Sequence, residues 1–391
     1  MDSALSGITI VDLATDIAGS YTCMLLGDMG ADVIKVELAD SPDWRGCPPY
    51  HLWNRGKKSI YLDLNKEGAR EVVEALVARA DVVVESFLSS QARAKGLDYD
   101  SLSPLNPRLI YCALPPFGED GPWSDVPADD AVVAAFAGVM GDQNGEGQPP
   151  AFITVPASSY STAFLASYAI SSALYVRELE GIGQKIEIPL LNGAIAVQTH
   201  QFVEAEGVEP IKDTANDPQG SGPVYRLYEC SDGKWIFIAC GNQAFWMKLC
   251  NTLSLEEFLA EPRYETAPWS FQSEEDRLRV ISTLKEIIKH HPQNYWLDLF
   301  DREDIPCAPA DTRHDFVEDP QVRHNNMIVE LEDPVLGATR QLGIPVSLAE
   351  TPGVIKGPAP RRGEHGEQIL RDLGYPVSGL QRLKGNGAII C

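Results

Sequence analysis

Two short stretches carry the residue types best able to do chemistry: the pair Asp129-Asp130 and the run Pro156-Ala157-Ser158-Ser159-Tyr160-Ser161. Serines that follow a proline, ahead of small and apolar residues ending at Leu174-Tyr175-Val176-Arg177, read as a helix start whose hydroxyls accept from free backbone N–H groups. The other reading of Ser159 is a nucleophile, which needs a neighbouring base, and no histidine lies near it in sequence. Asp130 reads as a carboxylate capping the segment after it, whereas Asp129 becomes a base if burial beside Asp130 raises its pKa. Arg45, Arg55, Lys57 and Lys58 form a basic stretch, read either as phosphate contacts or as a solvated loop on an acidic protein. Trp44, Tyr50, His51 and Trp53 lie among them and stack on a flat ligand or pack beneath the loop. His290-His291 reads as a helix-end cap, and His200 and His365 stand alone. No histidine has a metal-ligand partner in sequence, and the eight cysteines include no C-x-x-C pair, so neither a metal site nor a disulfide framework is expected.

The elements that must position these residues begin with a strand at Ile8–Leu13, a turn through Ala18-Gly19-Ser20, a helix at Tyr21–Met29 and a second strand at Asp32–Glu37. Strand, turn, helix and strand in so short a span make a βαβ unit, the start of a parallel sheet whose ligands bind beyond the strands' carboxyl ends. The glycines do not form G-x-G-x-x-G, so a dinucleotide fingerprint is absent. Further strands are expected at Asp81–Glu85, Leu109–Leu114 and Lys185–Leu190, with an amphipathic helix at Lys66–Ala80. The polar Gly/Pro/Asn segment Asp213–Gly222 reads as a linker into a second domain, which opens on two antiparallel strands joined through Ser231-Asp232-Gly233. A last helix is expected around Glu364–Leu373.

With 391 residues, 44% of them hydrophobic, the chain can bury a large core and is expected to divide into two domains. A formal charge of −24 leaves no basic field for a phosphate backbone and disfavours an anionic membrane surface, so neither nucleic acid nor membrane is an expected partner. No apolar run reaches membrane-spanning length and no signal peptide is visible, which points to a soluble, cytoplasmic protein.

The ordered segments Leu26–Glu37, Asn54–Ile60 with Leu62-Asp63-Leu64, Gly181–Gln184, Tyr228–Gly233, Asp319–Val322 and Ala359–His365 together resemble the class III CoA-transferase superfamily, the CaiB/BaiF family. The resemblance runs the length of the chain. It implies an α/β fold with a large doubly wound parallel-sheet domain built from both chain ends (1–212 and 316–391), a smaller central α+β domain (223–315), and an interlocked homodimer. It implies a small-molecule carboxylate or thioester substrate and CoA or acyl-CoA as ligand, with Ala18, Gly19, Arg45, Arg55, Lys57 and Lys58 at the coenzyme side.

Transferases of this family use one aspartate as a nucleophile, forming a mixed anhydride and then an aspartyl-CoA thioester. Counting back from Arg177 and Glu178, that position is Ser159, and no acidic residue stands between Glu146 and Glu178. Related racemases pair the aspartate with an earlier histidine, whose place is taken here by Asp129. Leu38 and Leu88 stand where basic CoA contacts are common, and Ser89-Ser90 where Pro-Gly is usual, which implies weakened CoA binding. The resulting expectation is an enzyme that has lost aspartyl-CoA transfer. It would perform acid–base isomerisation, elimination or cyclisation on a carboxylate or thioester, with Asp129 as base and Ser159 and Tyr160 as polar contacts. The alternatives are a genuine acyl-CoA:carboxylate CoA-transferase with a substitute nucleophile, either Ser159 or a carboxylate brought in by the fold, and a non-catalytic binding subunit.

Overall fold

The computed structural model describes residues 2–141, 143–144, 148–199, 202, 205–207 and 218–390. His200, Cys391, Glu146 and positions 213–217 of the linker lie outside them. The chain forms two compact units: Met1–Val139 with Ile153–Phe202 and Gln321–Cys391, and Met140–Phe152 with Val203–Pro320.

The first unit is built on a six-stranded sheet: β1 (Thr9–Asp12), β2 (Asp32–Leu38), β3 (Lys58–Leu62), β4 (Val82–Glu85), β5 (Ile110–Ala113) and β6 (Gln184–Glu187). All neighbours pair in parallel, in the order β3-β2-β1-β4-β5-β6. Strands β4 and β5 are buried at every position, as parallel strands covered on both faces must be, and this explains why they read as unbroken apolar runs. The order reverses between β1 and β4, and their carboxyl ends open the crevice where such sheets take ligands.

Helices α1 (Ile17–Asp28), α2 (Pro48–Trp53), α3 (Ala69–Val77), α4 (Ser89–Lys95) and α5 (Tyr99–Leu102) connect the first five strands; α6 (Asp130–Phe136), α7 (Ala157–Glu180) and α8 (Leu190–Ala196) follow. Helix α7 stops where Gly181 takes a left-handed conformation (φ 76°) and donates its N–H to Arg177 O, a geometry that glycine adopts without strain. Ile369, Leu370, Leu380 and Leu383, on two helices near the C-terminus, pack into the same core as Val36, Ile60, Val73 and Val83. Both chain ends therefore build the large unit, and its α/β class is the one the sequence implies.

The second unit holds an antiparallel sheet of β7 (Gly220–Gly222), β8 (Tyr225–Glu229), β9 (Trp235–Ala239) and β10 (Cys307–Pro309). Its core gathers Tyr228, Ile236, Trp246, Phe258, Leu284 and Phe300 from that sheet and the helices beside it. In the first unit, β11 (Ile328–Asp333) and β12 (Gly337–Leu342) form a separate hairpin. Among the described residues, no helix is long and apolar enough to cross a membrane.

Candidate functional site

The two acidic residues and the two serines meet at the junction of α6 and α7. Asp129 is the N-cap of α6: its Oδ1 accepts from the Val132 N–H at 3.0 Å, and the side chain is exposed. The anticipated buried base is therefore a solvated helix cap. Asp130, the first residue of α6, turns its carboxylate to α7 instead, where Oδ1 accepts from the Ser159 N–H at 2.6 Å. Neither serine caps α7; the N-cap position is Pro156, which offers no side-chain acceptor, so a carboxylate from another helix fills that need.

Burial lifts the Asp130 carboxyl above its ordinary value; the Ser158 and Ser159 N–H groups and the Ser159 hydroxyl offset part of this, and neighbouring Asp129 adds to it. Ser159 itself is only 3% exposed, while Asp130 is half-buried. On the inner side of the same turns, the hydroxyls of Ser158 and Thr162 are buried without a hydrogen-bond partner among the described residues. The Thr162 hydroxyl faces α8 at Gly193, where a Cβ would stand 2.1 Å from Thr162 Oγ1 and 2.7 Å from the Ser158 carbonyl oxygen. Only glycine permits that approach.

Tyr160 points to α1. Its ring meets Tyr21 edge-on at 5.1 Å between centroids, in a partly buried apolar cluster with Met24, Leu52, Trp53 and Ala163. Phe164 also meets Tyr21 edge-on, at 5.9 Å between centroids. Tyr160 thus borders the α7 N-terminus with its ring in the cluster that Trp53 helps to wall.

The basic stretch is placed differently from its sequence reading. Lys57 is buried, and its ammonium donates to Asp12 Oδ2 (2.8 Å), Ser20 O (2.9 Å) and Asn54 Oδ1 (2.9 Å), using all three N–H bonds. Lys35 pairs with the other oxygen of Asp12 at 3.0 Å. Burial by itself would raise the Asp12 carboxyl, but Lys35 and Lys57 outweigh it and hold that group below its ordinary value. Arg55 is buried against Asp28, with Nη2 2.5 Å from Oδ2. Arg45 pairs with Glu37 at 2.5 Å and lies over the Tyr50 ring at 5.1 Å. Of the four cations expected at phosphates, only Lys58, at the start of β3, is half-exposed with no ion pair among the described residues. His51 is likewise internal, its ring nitrogens 2.8 Å from Asp333 Oδ2 and 3.0 Å from Arg45 O.

Ala18 and Gly19 open α1 at the carboxyl end of β1. Asp16 caps the helix by accepting from the Gly19 N–H at 3.0 Å, and a Cβ on Gly19 would meet Ala14 Cβ at 2.2 Å. Burial pushes the Asp16 carboxyl up to about 6. Glu85, at the end of β4, is pushed up to about 8 by burial, despite the Phe87 N–H that donates to it at 2.7 Å. These two acids at the switch point of the sheet are absent from the sequence reading; the available signal was their place at the carboxyl ends of adjacent parallel strands. Sequence reasoning also missed Arg70 and Lys95, which with Asp40, Asp63 and Asn65 line a cavity of about 190 Å³ beyond the ends of β2 and β3. Lys95 is ion-paired with Asp40. Arg70 is ion-paired with Glu74 at 3.0 Å, so both cations of this cavity already have an acid partner.

Comparison with known proteins fits this scaffold. CoA-transferase family III matches residues 5–366. The chain is 32% identical to succinate–glutarate CoA-transferase of Agrobacterium fabrum, over 94% of this chain and 95% of that one. It is 29% identical to human succinyl-CoA:glutarate CoA-transferase, over 98% and 90% of the two chains. A CaiB/BaiF family protein from Brucella suis has the same fold, with a TM-score of 0.83 and 30% identity, covering 95% of this chain and all of that one. From strand order to the end of the matched region, the chain belongs to CoA-transferase family III.

Proposed function

We propose that this protein transfers CoA from an acyl-CoA donor to a small carboxylate acceptor, with a dicarboxylate among its substrates. The observation that carries this reading is the Asp130 carboxylate held at the N-terminus of α7 over Ser159, which keeps an acid where the family's chemistry needs one. The names of the relatives support the substrate class: besides the two glutarate enzymes, the chain is 28% identical to acetyl-CoA:oxalate CoA-transferase of Acetobacter aceti. The rival reading, acid–base isomerisation, elimination or cyclisation with Asp129 as base, has less support, since that carboxylate is exposed and one of its oxygens caps α6.

The test is an exchange assay with succinyl-CoA as donor and glutarate, oxalate or another dicarboxylate as acceptor, read by chromatography of the acyl-CoA products. Formation of the acceptor's CoA ester is the expected result. Isomerised or dehydrated acyl groups without exchange would favour the rival.

The homodimer and the cytoplasmic setting belong to the same proposal, as do the domain boundaries 1–212, 223–315 and 316–391. Phe164, Tyr168, Tyr175 and Leu179 are all more than half exposed along α7, at spacings that put them on one side of the helix, and a second copy would cover them. Light scattering that gave a monomer mass at working concentration would remove the dimer.

A further inference from the structure

We propose that Asp130 is the nucleophile of this protein, carrying first the acyl group and then CoA on its side-chain carboxyl. The proposal rests on the CoA-transfer reading and assigns its covalent step to an atom. A thioester and a carboxylate exchange partners most readily through an enzyme group that forms both an anhydride and a thioester reversibly, and a carboxylate does both. Asp130 is the acid that the fold brings to the α7 N-terminus, at 2.6 Å from the Ser159 N–H. The Ser159 hydroxyl would form an ordinary ester, a less activated intermediate. It is also the more buried of the two side chains, 3% exposed against a half-buried Asp130.

The steps balance without any further reactant. An Asp130 carboxylate oxygen attacks the thioester carbonyl, the C–S bond breaks, and CoA leaves as the thiolate, giving a mixed anhydride. The thiolate then attacks the aspartyl carbonyl carbon, the bond to the acyl oxygen breaks, and the donor's acid departs as a carboxylate. The acceptor carboxylate attacks the resulting aspartyl thioester, expelling the thiolate and forming a second anhydride. Attack of the thiolate on the acceptor's acyl carbon restores the Asp130 carboxylate and releases the new acyl-CoA. No proton or electron is consumed.

The geometry contributes to the two steps at the aspartyl carbon. The N–H group that now holds Oδ1 would hold the aspartyl carbonyl oxygen of the anhydride and thioester, where negative charge develops on attack. Helix α7 runs for 24 residues, so its positive end adds to this stabilisation. The Ser159 hydroxyl is among the neighbours that favour the charged form of the same carboxylate. The raised proton affinity of the half-buried Asp130 is that of a more basic, hence more nucleophilic, carboxylate than an exposed aspartate.

The test uses the full-length protein and succinyl-CoA, trapped with hydroxylamine and mapped by peptide mass spectrometry. A hydroxamate on Asp130 is the expected result, together with a loss of exchange of at least about 10³-fold in Asp130→Asn. A hydroxamate on Ser159 or on any other residue would overturn the assignment, as would exchange by Asp130→Asn within about tenfold of the parent. If Asp130→Asn melts well below the parent, the hydroxamate map of the unaltered protein decides alone. Exchange by the unaltered protein without an adduct at Asp130 sinks this assignment and leaves the CoA-transfer reading standing. Absence of exchange with every donor and acceptor sinks both.

Discussion

The charged residues clustered around Asp12 of β1 and those at the α6–α7 junction have similar chemistry and opposite bookkeeping. Asp12 is fully buried between Lys35 and Lys57, and every N–H of the Lys57 ammonium has an acceptor. Asp130 is half-buried and holds one backbone N–H, and the Ser158 and Thr162 hydroxyls of the α7 turns that follow are buried without partners among the described residues. A closed network leaves no donor or acceptor for a ligand and acts on stability. An open one, whose acid still reaches solvent, has capacity left for chemistry. Residue type does not distinguish the two, since both are acids beside polar neighbours; the number of partners does.

The sharpest way to break this contrast is at Lys57. Replacing it with methionine removes three hydrogen bonds and leaves Asp12 with one ammonium in a site without solvent, so Lys57→Met should lose about 3–5 kcal/mol. Urea unfolding of the variant and parent measures it. A loss below about 1 kcal/mol would make the network no stronger than a surface pair, and a selective loss of CoA affinity in a stable variant would return Lys57 to the ligand side.

This contrast also explains what could be read from the chain alone. The sheet was legible because Ile8–Leu13, Asp32–Glu37 and Asp81–Glu85 are apolar runs at βαβ spacing, a local signal. The fate of Arg55 and Lys57 was not, because their partners Asp28 and Asp12 lie 27 and 45 positions away. Ser158 and Ser159 resembled caps, yet the acceptor for α7 comes from Asp130, 29 positions earlier. The pairing of Asp130 with Ser159 is a tertiary fact. The sequence could place both residues near one pocket by family resemblance, but the choice between the two adjacent acids depended on which way α6 begins.

A third carboxylate tests the comparison between its extremes. Glu85 is buried like Asp12 but has no cation, only the Phe87 N–H and nearby polar groups, and its pKa is pushed up to about 8 by burial. A carboxyl with a folded pKa above its unfolded value stabilises the fold at low pH, and that contribution is lost as pH rises through the folded pKa. Between pH 6 and 8 the loss should be about 2 kcal/mol. Asp16, raised to about 6, loses its share lower in the same direction, while Asp12, held below its ordinary value, loses its contribution only as pH falls through the acid range. Stability should therefore decline from pH 6 to 8, and Glu85→Gln should flatten most of that decline. Urea midpoints at several pH values read both; an unchanged slope in the variant would show that Glu85 is ionised in the folded protein throughout.

The smallest effect is expected at Asp129, and it separates the two adjacent acids most directly. Asp129 is exposed and accepts from the Val132 N–H at 3.0 Å, so its removal takes away one helix cap and nothing buried. Asp129→Ala should cost about 1 kcal/mol, and Asp129→Asn, which keeps an acceptor at the cap, should recover most of it. A structural role acts through stability and follows this order of alanine against asparagine. A base would fail equally in both variants, because neither side chain can take up a proton near neutral pH. Measuring melting temperature and turnover together decides between them: turnover that falls more than about 10²-fold in both variants at nearly unchanged melting temperature would restore Asp129 as the base. Turnover that follows stability assigns the pair's chemistry to Asp130, whose carboxylate faces the α7 N-terminus while its neighbour faces water.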